Sequence, residues 1–510
     1  MDFTPLFRPY FLRRARRTDR WATDTTSIQR SLLRDNIRHA QNTEYGRRYG
    51  FDKMSKLSDP YETFRRSVPI VDFEAIRPIV MRMIQGEKDL LWPGVCRNFA
   101  QSSGTSGGKS KYIPITPDSL RTNHYPGASD AVAHYLRRNP SSRIFSGKGF
   151  ILGGSFANEL NLTDSKVRVG DLSATLINDV TPLAEAVRIP EKKIALMPDW
   201  DVKLPALARA ALKANVTNIS GVPSWFLVVL KRVLALSGKQ SLHEVWPSLE
   251  VFFHGGISFA PYRNEYLRIT DPARMHFLET YNASEGFFAT QNDFIDPALL
   301  LIIDAGVFFE FAPVGKPELL PEDAVPAEDV QPGKIYELII SSTNGLWRYR
   351  LGDTVKIESI NPLKITIAGR TKSFINAFGE ELMEANAESA IAKVCNATGA
   401  SIKNYTAAPV FAEGGRRGRH EWLIEWGNKP ASIKEFAAQL DRELCHLNSD
   451  YEAKRNGNIF LDPLSIVTAR AGLFDSWLKS AGNHKLGGQR KVPRLNNTRD
   501  LMDSLLGMNK

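Results

Sequence analysis

The pattern of apolar and polar positions divides the chain into three stretches. In the first, residues 27–41 carry a helical period, with Ile28, Leu32 and Ile37 recurring about every fourth position. Ser27 stands where a hydroxyl can cap that helix. Between 79 and 120 a helix gives way to Pro93-Gly94, then to the polar run of 101–111, then to a short strand at 111–116. Another turn and strand follow at 146–155. Helical patterns dominate 205–236, interrupted at 218–226. In the second stretch, 249–370, strands predominate. The segments 249–256 and 275–286 are apolar runs ending in glycine, as expected of buried strands that feed loops. Residues 299–314 read as a hairpin turning at Asp304-Ala305-Gly306. Residues 333–357 hold two or three strands punctuated by Asn344-Gly345 and Gly352-Asp353, and 364–370 closes the series. After Arg370 the pattern predicts a helix at 380–395, a hairpin at 404–426 with a basic glycine-rich tip, and an amphipathic helix at 432–447. The expected organisation is a large domain over 1–370 and a small α+β domain over 371–510.

Composition narrows the class without changing this picture. Of 510 residues, 43% are hydrophobic and 24% charged, which excludes collagen-like, coiled-coil and wholly disordered readings. Lys plus Arg exceed Asp plus Glu by 66 to 56, a net charge of +10. The cations at 13–17 and 416–419 read as an arm and a loop tip. They form no aromatic-interleaved stripe, so no nucleic-acid partner is expected. Cys96, Cys395 and Cys445 are far apart, with no CxxC spacing, which argues against a zinc site or a disulfide framework and for a reducing cytoplasm. The basic N-terminus lacks the apolar core of a signal peptide. The greasiest segment, 298–313, is broken by Asp304 and Gly306, so no membrane span is expected.

Three motifs carry chemistry. Residues 102–111 pack three glycines, five hydroxyls and two lysines into ten positions. Glycines let successive backbone N–H groups turn toward one anion, and hydroxyls and ammonium groups add donors, which is what a polyphosphate needs. The spacing is not a Walker loop, because Ser103 stands where that pattern requires glycine. Tyr281-Asn282-Ala283-Ser284-Glu285-Gly286 follows an apolar run as a strand-end loop. It offers an aromatic face, small polar groups and a carboxylate of the kind that holds Mg²⁺ together with substrate phosphates. In Tyr349-Arg350-Leu351-Gly352-Asp353 a tight turn presents a carboxylate able to accept two ribose hydroxyls. Taken singly, the second and third motifs are as well read as a solvated loop and a plain turn.

In this order and at these separations the motifs resemble the adenylate-forming superfamily. Within it they are similar to the auxin-responsive promoter (Gretchen Hagen) family of acyl acid amido synthetases. Residues 42–51, 221–226, 349–353 and 489–494 carry the same likeness. The resemblance implies an α/β fold, with a large N-terminal adenylate-forming domain of mixed sheets flanked by helices and a small α+β C-terminal cap. It implies that Ser102, Ser103, Gly104, Thr105, Ser106, Gly107, Gly108 and Lys109 cradle the ATP phosphates, and that Gly255 and Gly256 lie beside adenine. Tyr281 would stack near the adenine, with Asn282, Ala283 and Ser284 completing that motif. Glu285 would bind Mg²⁺, Asp353 would hold the ribose, and Arg370 would lie near ribose or phosphate just before the hinge. Lys491 matches the mobile lysine that reaches the reacting carboxylate. Ala283 departs from the family's usual serine, and the chain is more compact than the plant members, so substrates are not carried over.

The activity implied is ATP- and Mg²⁺-dependent condensation of a small carboxylic acid with an amino acid through an acyl-adenylate. An acyl-CoA ligase and a nucleotide-binding protein without turnover are the alternatives. Tyr125, Trp225, Phe226 and Phe288 are candidate pocket walls, though each is as readily core.

Overall fold

The computed structural model describes residues 2–509 except 103–110, 157, 159, 161, 163–165, 258, 260–261, 315, 317, 371–373, 381, 412–416, 457–460 and 481–491. Among these, one mixed sheet of 12 strands organises the strand-rich middle of the chain. One half is parallel: Lys148–Ile151, Val216–Gly221, Val251–Gly255 and His276–Ala283 run side by side, with Arg188–Ile189 outermost. Parallel neighbours require crossovers, and helices Pro223–Ser237 and Arg263–Ile269 supply two of them. The other half is antiparallel. It starts at Gly286–Gln291 and proceeds through Leu299–Leu301, Leu363–Arg370, Tyr349–Ile360, Ile335–Ser342, Val307–Pro313 and Val325–Pro326. The strand His276–Ala283 is the change-over, parallel to one neighbour and antiparallel to the other. A separate sheet joins Lys111–Ile115, Asn98–Ser102 and Arg168–Gly170.

Two expectations need correction. Leu299–Leu301 and Val307–Pro313 are both strands, and Gly306 does turn the chain with φ +69°, but they do not pair with each other. The first lies between Gly286–Gln291 and Leu363–Arg370; the second pairs with Ile335–Ser342 and Val325–Pro326. Both are buried on nearly every position, so their apolar pattern carries no face alternation to specify a neighbour. Ser27 is not a helix cap. The helix starts at Thr25, and the Ser27 hydroxyl donates back to the Asp24 carbonyl.

Aromatic packing joins the N-terminal helices to the sheet. Trp347 packs against Phe51, Phe64, Trp92 and Tyr45, and its indole N–H donates to the Leu91 carbonyl. Among the described residues no helix is long and apolar enough to cross a membrane.

The chain packs as two compact units, one of 1–102 with 111–371 and a second that includes 372–510. In the second, Ser401–Val410 and Arg419–Asn428 form the expected hairpin, and Ser465–Thr468 adds a parallel strand. Helices Glu384–Thr398 and Ile433–Leu447 accompany it. The helix Ile433–Leu447 buries Phe436, Leu440 and Leu444 on one face, the periodicity that made it legible.

Candidate active site

The parallel strands Val216–Gly221, Val251–Gly255 and His276–Ala283 end side by side. Open α/β sheets bind ligands at such carboxyl ends. Gly255 is in register with Thr280, and a Cβ there would lie 2.3 Å from the Thr280 carbonyl oxygen. Only glycine fits that approach, and Gly256 then turns the chain away from the sheet. Tyr281 follows Thr280; it is buried, with its ring edge-on to Phe288 at 5.1 Å. Its hydroxyl donates to Asp353 Oδ2 at 2.6 Å. Three strands separate Tyr281 from Asp353 in the sheet order. On a flat sheet four strand spacings amount to about 19 Å, beyond the reach of the two side chains, so the sheet curls to bring them together.

Ala283 pairs with Gly286, leaving Ser284 and Glu285 as a two-residue turn. Tyr281, Asn282 and Ala283 therefore lie within the strand rather than in a loop beyond it. Asn282 is exposed beside Gly255, and Glu285 is buried. The Glu285 carbonyl accepts from Asn344 Nδ2 at 3.1 Å.

Asn344 belongs to the turn that leads into the strand Tyr349–Ile360, and this turn touches several motif-bearing elements. Thr116, just past the strand Lys111–Ile115, donates its hydroxyl to the Thr343 carbonyl at 2.7 Å. Arg348, with φ +44° and no exposed surface, closes the turn. Its guanidinium donates to both oxygens of buried Glu310 and to the carbonyls of Arg65, Val68 and Pro321. Asp353 lies five residues further on, in register with Arg370.

The fold thus brings together Gly255, Gly256, Tyr281, Asn282, Ala283, Ser284, Glu285 and Asp353, with the Arg370 backbone alongside. Ser102 ends its strand opposite Lys111. Ser103, Gly104, Thr105, Ser106, Gly107, Gly108, Lys109 and Lys491 lie outside the described residues. Of the candidate pocket walls, Phe226 and Phe288 are core, and Trp225 packs against Trp200. Tyr125 lines a cavity of about 520 Å³ with Arg14, Arg121 and Asp179. Sequence reasoning passed over Asn344, Arg348 and Glu310. Asn344-Gly345 signalled only a turn, and an arginine before a strand signals nothing.

His254 was also passed over. It sits one residue before Gly255, stacked on Phe259 at 4.2 Å, and its Nδ1 has no hydrogen-bond partner among the described residues. Burial pushes its imidazole down to about 3. Unfolded histidine titrates near ~6.5, so below that pH the unfolded chain binds a proton that the native state refuses. Stability from this residue is complete above ~6.5 and is lost as pH falls toward 3. We expect the stability advantage of wild type over His254→Phe to shrink by about 1.4 kcal/mol per pH unit between ~6 and ~4. Denaturant titrations at several pH values test this, and parallel curves for the two proteins refute it.

Comparison with known proteins then decides the family. Residues 14–275 match the GH3 family N-terminal domain, 300–370 the GH3 central domain and 385–500 the GH3 C-terminal domain. The chain belongs to the GH3 family. A curated relative, the 4-substituted benzoates-glutamate ligase GH3.12 of Arabidopsis thaliana, is 23% identical over 92% of this chain and 93% of its own. Among solved structures, a GH3.15 acyl acid amido synthetase in complex with 2,4-DB superposes with TM-score 0.60. It is 19% identical and covers 95% of this chain and 94% of its own. A 2-hydroxyisobutyryl-CoA ligase bound to 2-HIB-AMP and CoA gives TM-score 0.54 at 12% identity, over 94% of this GH3 chain and 91% of its own. The fold is that of the adenylate-forming ligases, as the resemblance implied.

Proposed function

We propose that this GH3 protein is an ATP- and Mg²⁺-dependent acyl acid amido synthetase. A carboxylic acid is activated as an acyl-adenylate with release of pyrophosphate, and an amino acid amine then displaces AMP to give the amide. The observation that carries this reading is the Tyr281–Asp353 contact beside the Glu285 turn, at the carboxyl edge of the parallel strands.

The donor set fits a nucleotide. Gly256, with φ +84°, turns the backbone at the strand end, Tyr281 offers an aromatic ring, and Asp353 is a carboxylate with two acceptor oxygens. The Tyr281 hydroxyl holds one of these in place. Glu285 is the carboxylate we assign to Mg²⁺, which is usually held by one or two carboxylates plus substrate phosphates. When bound, the metal neutralises phosphate charge. Catalysis by this chain is then largely positioning and charge compensation, since the reaction joins two anions. By resemblance of their segments we assign phosphate binding to 102–109, ribose or phosphate contact to Arg370, and the cation at the reacting carboxylate to Lys491. We read 371–510 as the mobile cap. The free thiols Cys96, Cys395 and Cys445 suit a reducing compartment, and we place the protein in the cytoplasm.

The test is pyrophosphate release with ATP and Mg²⁺ across aromatic, indolic, jasmonate-like and fatty acids. Each acid is run alone, with pooled amino acids, and with coenzyme A. Release that rises with an amino acid and yields an amide mass is the expected result. Release that rises only with coenzyme A makes the protein an acyl-CoA ligase instead. No release with any acid, despite ATP binding, leaves the non-catalytic reading.

A further inference from the structure

We propose that the outer edge of the helix Thr4–Arg17 docks this protein reversibly on an anionic membrane surface. The cations at 13–17, read from sequence as an arm, form instead the last turns of this helix, and its inner side is tied to the fold. Phe7 and Phe11 pack on Phe145, and Arg14 pairs with buried Asp130. Arg8 donates to the carbonyls of Leu136, Asn139 and Ser142. The helix is thereby held in one orientation and cannot turn its other side inward.

That other side is a single stripe. Phe3, Leu6, Tyr10, Arg13 and Arg17 succeed one another at spacings of three and four residues, which sets them along one helix edge. The first half of the stripe is apolar, with Phe3 42%, Leu6 70% and Tyr10 62% exposed. The second half is basic. Arg13 and, beside it, Arg16 are exposed and make no hydrogen bond or ion pair among the described residues. Arg17 and Arg20 remain exposed within their pairs to Asp304 and Asp24. Residues 2–20 hold six arginines against two aspartates. Arg16 also lines a cavity of about 530 Å³ whose other charged groups are Arg8, Arg143 and Asp2, so the positive potential extends to the flank of the helix. This charge selects the occupant. Two copies of such an edge repel each other, whereas anionic headgroups attract it. Phe3, Leu6 and Tyr10 project from the edge without forming a groove. A bilayer interface takes up such side chains without a matching shape. A few apolar side chains and a few arginines give weak, salt-sensitive attachment rather than insertion.

The experiment is flotation of the full chain with vesicles of phosphatidylcholine alone and of phosphatidylcholine mixed with phosphatidylserine, at low and high salt. The protein should float with the mixed vesicles at low salt, stay behind with phosphatidylcholine, and be released by high salt. Arg13→Gln combined with Arg16→Gln should weaken partitioning about thirtyfold, at roughly fivefold per arginine. Leu6→Ser combined with Tyr10→Ser should weaken it about tenfold. All four side chains are exposed, so both variants should melt with wild type. Arg232→Gln combined with Lys239→Gln removes the same charge from an exposed site on and just past the helix Pro223–Ser237, and should leave partitioning almost unchanged. Equal loss in that control, equal flotation with both kinds of vesicle, or flotation with neither overturns the proposal. So does flotation that survives Leu6→Ser with Tyr10→Ser. Retention on immobilised polyglutamate without flotation also overturns it and assigns the edge to an acidic protein.

Discussion

Replacing Glu285 by Gln is expected to lower pyrophosphate release by about 10²–10³-fold, the loss usual when one charge-compensating group is removed from an active site. The change keeps side-chain volume and removes one negative charge. Glu285 is buried in a two-residue turn, and its backbone contact to Asn344 does not depend on the carboxylate. The fold should therefore survive, and the loss should appear in turnover at saturating acid. Excess Mg²⁺ should restore little, because the amide offers the metal a neutral oxygen in place of an anion. Asp353→Asn should cost less. An amide oxygen still accepts from the Tyr281 hydroxyl, so the contact that brings the two strands together persists. The measurement is initial-rate pyrophosphate release, with melting temperatures recorded in parallel. Near-wild-type turnover of Glu285→Gln at moderate Mg²⁺ would remove Glu285 from the chemistry.

The sequence made the individual motifs legible and the resemblance implied one nucleotide site, whereas the contact that joins Tyr281 to Asp353 came only with the fold. Tyr281 and Asp353 belong to different motifs, and nothing in either says that a curling sheet will place one hydroxyl on the other carboxylate. Curling depends on twist accumulated over several strands, which no local pattern encodes. The strand Val251–Gly255 was readable because an apolar run meets two glycines, and the helix Ile433–Leu447 because one face is apolar. The mispairing of 299–314 had the opposite cause. Strands buried on both faces have lost the alternation that specifies register and neighbour. Glu285 was chosen for its carboxylate, but its carbonyl is held by Asn344, which the sequence offered only as half of a turn signal. Residues that act through a backbone carbonyl leave no trace in side-chain chemistry, so motif reading passes them by.

Arg348→Met should produce the largest stability loss of the changes considered, about 3–5 kcal/mol by chemical denaturation, the range for breaking a buried ion pair from one side. Neither partner of the Arg348–Glu310 pair is appreciably exposed. The variant leaves the Glu310 carboxylate buried without its cation, and it also takes donors from the Arg65, Val68 and Pro321 carbonyls. Glu310→Gln should cost less, because a neutral amide still accepts from Arg348. Tyr61→Phe should cost least, since the Tyr61 hydroxyl makes only a 3.3 Å bond to Glu310. Combining Arg348→Met with Glu310→Leu should recover part of the loss by removing the stranded charge. Recovery should be incomplete because the three carbonyls still lack their donor. This order separates a network centred on the guanidinium from a simple pair. Equal losses in Arg348→Met and Glu310→Gln, or full recovery in the double variant, would reduce the guanidinium's role to that of a counter-ion. The same residue immediately precedes the strand that carries Asp353, and its backbone carbonyl accepts from Val71 N–H at 3.1 Å. Activity in Arg348→Met should therefore fall in step with the folded fraction, whereas in Glu285→Gln it should fall while the protein stays folded.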